Sequence, residues 1–104
     1  MSYEKIFRPI EDIWMEKNNI NQHVVNDGGS MKDVNLDVRL SENGDFIVVL
    51  NLTVSGIEEL SSEAEEGIID EIEWATDEIS DEQWSSVDLD PEKLQDFEIN
   101  LIFE

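Results

Sequence analysis

Val34, Leu36, Val38 and Leu40 alternate with Asp33, Asn35, Asp37 and Arg39, and no other stretch limits the fold as tightly. A period of two puts every second side chain on one face only if the backbone is extended, so this is a strand with one wet face. "SENGD" follows and supplies an Asn43-Gly44 turn, and "FIVVLNLTV" then runs as a second, more buried strand. Asn-Gly between two such runs is a strong short-range hairpin signal, because both residues tolerate positive φ. A hairpin is therefore expected over residues 33–54. "FEINLIF" alternates again, with Phe97, Ile99, Leu101 and Phe103 on one side, and is expected to add a C-terminal strand over 97–103 to an antiparallel sheet.

The segments outside the sheet read as helix or connection. Ile6, Ile10, Ile13 and Trp14 recur at helical spacing, but Pro9 lacks an amide proton and clashes with a preceding turn. The expected N-terminal helix is short, from about Pro9 to Lys17, with proline in the first turn. "NNINQHVVNDGG" reads as a connection or short edge strand ending in a glycine turn. Between the hairpin and the last strand, Ile57, Leu60, Ala64, Ile68, Ile72, Ala75 and Ile79 share one face at about 100° per residue. This predicts one main amphipathic helix over about 57–79, capped by Ser55 or Ser62, each with a glutamate three residues on. Ser80 with Gln83 marks a separate turn around Trp84, and Asp90-Pro91 a further helix start. The expected fold is α+β, with residues 1–104 forming a single domain whose sheet packs on the main helix and the short N-terminal helix.

The main helix is also where the charge lies. The chain carries 27 acids against six Lys or Arg, a formal net charge of −21. Residues 40–92 hold 17 of those acids and no base, and Ile57 to Trp84 alone hold twelve. On the helical wheel Glu59, Glu63, Glu66, Asp70, Glu73 and Asp77 fall within an arc of roughly 80° opposite the apolar face. The row would extend about 27 Å at about 1.5 Å rise per residue. Its like-charged i,i+4 pairs each cost roughly 0.2 to 0.5 kcal/mol in an isolated helix. Asp81 and Glu82 continue the field, and Trp84 among them could stack on a partner's arginine. Solubility of a small domain needs a net charge of only about 2 to 8 in magnitude. The excess points to a cationic partner.

The same charge excludes other classes. Nucleic acid and anionic membrane present negative fields, so direct binding to either is disfavoured. No stretch reaches the roughly 18 to 20 apolar residues of a membrane span, and "MSYEKIFRPIEDIW" lacks a signal-peptide pattern, so a cytoplasmic protein is expected. With no cysteine, thiol catalysis and thiolate metal sites are excluded. "NDGGS" lacks the lysine and preceding strand of a phosphate loop, "DLDPEKLQDFE" departs from the calcium loop, and His23 is the only histidine. Catalytic residues, cofactor and metal are all expected to be none.

The function expected from the sequence is that of a non-enzymatic acidic inhibitor of DNA-mimic type. It would occupy the cationic nucleic-acid-binding site of another protein, as phage-encoded anti-CRISPR or anti-restriction proteins do in a host cytoplasm. Its partner-binding residues would be Glu59, Glu63, Glu66, Asp70, Glu73, Asp77, Asp81, Glu82 and Trp84. The alternatives are an immunity protein neutralising a basic toxin nuclease, and an acidic accessory or structural domain. Val24, Val25 and an exposed sheet edge would also allow two copies to pair as a homodimer.

Overall fold

The hairpin forms where the alternation and the Asn43-Gly44 turn place it. Strand β1 runs from Ser30 to Leu40 and β2 from Phe46 to Ser55, antiparallel, with Val34, Leu36 and Val38 opposite Leu52, Leu50 and Val48. Gly44 takes φ +92°, which a side chain would oppose, and its N–H donates to the Ser41 carbonyl at 3.2 Å to close the turn. The computed structural model describes residues 3–17 and 19–104.

The third strand corrects one expectation. Strand β3, Leu94 to Phe103, lies beside β2 with the order β1-β2-β3, but it runs parallel to β2, so the sheet is mixed rather than antiparallel. After Ser55 the chain crosses back along two helices, α3 (Ser62–Asp77) and α4 (Asp81–Ser86), and a 3-10 turn at Pro91–Lys93. It re-enters with Leu94 beside Phe46, the start of β2. A helical crossover of this kind is the ordinary way to join parallel strands. Phe97, Ile99 and Leu101 pair with Val48, Leu50 and Leu52 on the core side, so the expected facing of this strand holds.

The helices lie against the face of the sheet that carries Phe46, Val48, Leu50, Leu52 and Val54, all buried. Helix α1 spans Glu4–Lys17, starting earlier than expected, with Pro9 inside it. Pro9 gives up the bond to the Lys5 carbonyl and crowds it, while the first turn is held by Ile6 and Phe7 N–H groups donating to the Tyr3 carbonyl. A second helix, α2 (Asn19–Asn26), replaces the expected connection or edge strand; Asn18 lies outside the described residues. It forms because Ile20 and Val24, four residues apart, are both fully buried, and Gly28 at φ +92° ends it. Helix α2 crosses α3 where a Cβ on Gly67 would lie 2.4 Å from the His23 ring, so any side chain there would force the imidazole to move.

On the opposite face, Asn100 donates through Nδ2 to Asn51 Oδ1, and Asn51 donates in turn to Asn35 Oδ1, both at 2.9 Å. This ladder ties the three strands together beside the Arg39–Glu98 ion pair of 2.9 Å.

The edge of β1 is closed by carboxylates and an amide. Its N–H groups at Val34, Leu36 and Val38 face away from β2 and donate to Asp33, Glu11 and Asp37, at 2.9, 3.4 and 2.8 Å. Asn21 Oδ1 accepts from Met31 N–H at 2.8 Å. Glu11 sits in a cleft between α1 and β1, and partial burial raises its pKa above the usual carboxylate value despite the Leu36 hydrogen bond and nearby Arg8. A carboxyl whose folded pKa is raised favours folding in its protonated form. That contribution is present below the unfolded pKa and is lost as pH rises through the raised folded value. Glu11→Gln keeps an oxygen to accept from Leu36 and loses the charge. It should therefore raise the melting temperature at pH 7, with the gap closing as pH falls to about 4, near the ordinary carboxylate value, in thermal melts at both pH values. A gap that widens on acidification would contradict this.

Candidate acidic interface

Helix α3 is capped by Ser61, not by Ser55 or Ser62. Ser61 holds extended backbone angles and its hydroxyl oxygen accepts from Ala64 N–H at 3.1 Å. Its own N–H and hydroxyl donate to the Asp27 carboxylate at 2.6 and 3.0 Å, so the end of α2 sets the start of α3. The residues before it, Ile57 to Leu60, are not helical, although Ile57 and Leu60 still pack against the core. Ala64, Ile68, Ile72 and Ala75 form the buried stripe, and Ile79 follows beyond the helix. The apolar face is thus in place over a shorter helix.

That shift removes one member of the carboxylate row. Glu59 lies in the loop that precedes α3, exposed beside Glu58 rather than in line with the others. Glu63, Glu66, Asp70, Glu73 and Asp77 remain on α3, all exposed on the side away from the buried stripe. The row from Glu63 to Asp77 covers 14 residue steps, about 21 Å at about 1.5 Å each. Among the described residues, none of these carboxylates forms an ion pair. Glu63 lies in the first turn, where the helix dipole favours an acid. Asp77 stands in the last turn, where the dipole opposes one, and no base lies there to offset it. Asp81 and Glu82 open α4, exposed, behind a capping box in which Ser80 and Gln83 satisfy each other's backbone N–H groups.

Trp84 does not belong to this surface. It is 2% exposed, with its ring 6.4 Å from Phe7 edge-on and 5.6 Å from Phe46. It is a core residue, buried by the helical turn that the Ser80 cap starts. The exposed indole is Trp74 on α3, 57% accessible, four residues from Asp70 and four from Glu78, which caps the helix end. On the wheel it lies at the border of the two faces, and the structure turns it outward. If an aromatic on this surface stacks on a partner's guanidinium, the available one is Trp74.

One carboxylate that local spacing does not reveal joins the group. Glu73, Asp77 and Asp96 line a shared cleft with Pro91, Leu94 and Phe97, where the second half of α3 passes the start of β3. Asp96 belongs to a different element, so only the parallel placement of β3 brings it there. Val24, offered from the sequence for pairing two copies, is fully buried, while Val25 is exposed. Of the other aromatic residues, Phe7, Trp14 and Phe46 are buried, Phe97 is partly buried and Phe103 is 39% exposed. Among the described residues, no helix is long and apolar enough to cross a membrane. No protein-family model, curated protein or solved structure matched the chain.

Proposed function

We propose that this protein is a non-enzymatic, cytoplasmic inhibitor whose α3 carboxylates occupy the cationic nucleic-acid-binding site of another protein. The observation that carries this reading is the exposed row of Glu63, Glu66, Asp70, Glu73 and Asp77 on one helix, unpaired among the described residues. It offers one carboxylate per about 5 Å of axis, against one phosphate per about 3.4 Å along a nucleic-acid strand, so it can meet several phosphate-binding side chains at once. Trp74 supplies an aromatic surface beside the row, and Asp81 and Glu82 prolong it. The partner class is a basic nuclease or another nucleic-acid-binding protein, and the mode is stoichiometric blocking, as in anti-CRISPR or anti-restriction proteins. Long-range attraction would speed encounter and make it salt-sensitive.

Affinity capture from lysate of the native host, at low and at physiological salt, tests the reading. The expected catch is a basic nucleic-acid-binding protein that duplex DNA or RNA displaces from the immobilised chain. A neutral or acidic catch, or one indifferent to nucleic acid, would count against it. An immunity protein for a toxin nuclease is the second reading. It is favoured to the extent that the uncovered sheet face, with Asn35, Asn51 and Asn100 in line, also contacts the partner. Substitution of Asn51 would then weaken capture as much as substitution on α3.

A further inference from the structure

The two edges of the sheet are treated differently by the sequence. Along β1 the outward N–H groups of Val34, Leu36 and Val38 are all taken by carboxylates. Along β3, Glu104 N–H donates back to the Val54 carbonyl at 2.9 Å, which sets the alternation of the strand. The N–H groups of Phe97, Ile99, Leu101 and Phe103 therefore face away from β2. Asp96 accepts from Phe97 N–H at 2.8 Å, while among the described residues no side chain reaches the N–H groups of Ile99 and Leu101. Unpaired strand edges invite another strand, and proteins normally block them. Here one edge is blocked and the other is left open over its apolar half.

The charge around the open edge decides what can pair with it. Glu73, Asp77 and Asp96 line the cleft at the entry of β3 around Phe97, Glu98 further along the strand is already paired with Arg39, and Glu104 follows the strand's end. A second copy would bring a net charge of −21 against −21, with the same acids on the same strand. Like charges across a strand pair are destabilising, so the acids that admit a cationic strand also deter self-pairing. Ile99 and Leu101, half-buried, offer apolar rows to alternate side chains of an added strand, and Phe97 offers a ring beside the three carboxylates.

We infer that the free edge of β3 receives an extended basic segment of the partner as a fourth strand, with an arginine or lysine of that segment seated in the Glu73–Asp77–Asp96 cleft. This rests on the reading of a cationic partner and specifies how the partner is held: main-chain hydrogen bonds fix the segment and the carboxylates select its charge. The α3 row and the β3 edge meet at that cleft, so one partner can engage both.

The test uses the intact protein and a short blocked peptide in which arginine alternates with valine, followed by NMR at low salt. The expected result is slower amide exchange at Ile99 and Leu101 when the peptide is saturating. A peptide of the same sequence, N-methylated at the residues that would donate to β3, should bind at least about tenfold more weakly, as the loss of one or two hydrogen bonds implies. Leu101→Pro, which removes an outward donor without touching the bonds to β2, should weaken the unmethylated peptide similarly while keeping the native spectrum. Equal binding of the methylated peptide, or binding with no change at Ile99 and Leu101, overturns the edge assignment. So does failure of the unmethylated peptide to bind. The cationic-partner reading is judged separately, by whether capture of the partner depends on the α3 carboxylates.

Discussion

Trp84→Ala should cost about 3 to 5 kcal/mol of stability, the range for deleting a buried aromatic side chain. The side chain is 2% exposed, and its ring meets Phe7 of α1 and Phe46 of β2. Helix α4 is six residues long and cannot hold together without tertiary contacts, so this indole is what fastens it to the rest of the fold. Domains of this size are stable by only about 5 to 15 kcal/mol, so the loss removes a large part of the total. Urea unfolding should show a midpoint far below that of the wild type, with Trp84→Phe falling between the two. By contrast, Trp74→Ala, at a site 57% exposed, should change stability by less than about 0.5 kcal/mol and yet weaken capture of an arginine-bearing partner. A Trp84→Ala protein that unfolds like the wild type would place this indole on the surface, contrary to its packing.

The contrast between the two tryptophans shows what the sequence can and cannot disclose. Trp84 sits among acids in the chain, and its neighbours Asp81 and Glu82 are indeed exposed. Its burial depends on the break at Glu78 to Ser80, after which α4 starts afresh with its own phase. The Ser80–Gln83 capping box is readable from the residues, but the direction in which the new helix then points is not. Trp74 lies on the wheel of α3 at the border of its two faces, so the wheel alone leaves its side open and the packed helix decides it. The hairpin was legible because alternation and an Asn-Gly turn act locally, and nothing distant has to cooperate.

Where distant residues decide, local spacing misleads. Ser55, Ser61 and Ser62 are all sound caps by type, and it is the Asp27 carboxylate, 34 residues away, that fixes Ser61 and leaves Glu59 in a loop. Helix α2 has Asn at three of its eight positions and little intrinsic preference for the state. It is helical because Ile20 and Val24 enter the core and because Gly67 makes room for His23. The parallel course of β3 could have been argued from the helix lying between two strands, since a helical crossover brings the chain back to the start of the strand it left. Asp96 would then have been placed beside Glu73 and Asp77 from the sequence.

The triple charge reversal Glu66→Lys, Asp70→Lys and Glu73→Lys should lower affinity for the cationic partner by about 100-fold at low salt while leaving the protein folded and slightly more stable. Each reversal adds two units of charge, so three bring the net charge from −21 to −15. If each reversed contact is worth about 1 kcal/mol at an exposed interface, three give about 3 kcal/mol, which is roughly 100-fold in affinity. Stability moves the other way. In the native helix Glu63, Glu66, Asp70, Glu73 and Asp77 repel their neighbours three and four residues away. In the variant the new lysines at positions 66 and 73 attract Glu63 and Asp77, while the one at position 70 still faces like charge on either side. Two pairs out of four change sign, a gain of about 1 kcal/mol at low ionic strength. The lysine at position 73 also offsets the acids near the C-terminal end of α3. Both effects should fade towards about 1 M salt, where the screening length falls to about 3 Å. Thermal melts and equilibrium binding across a salt series measure the two together. A row that only kept the protein soluble would give the stability gain with no loss of binding, whereas one shaped for a partner gives both, with opposite sign.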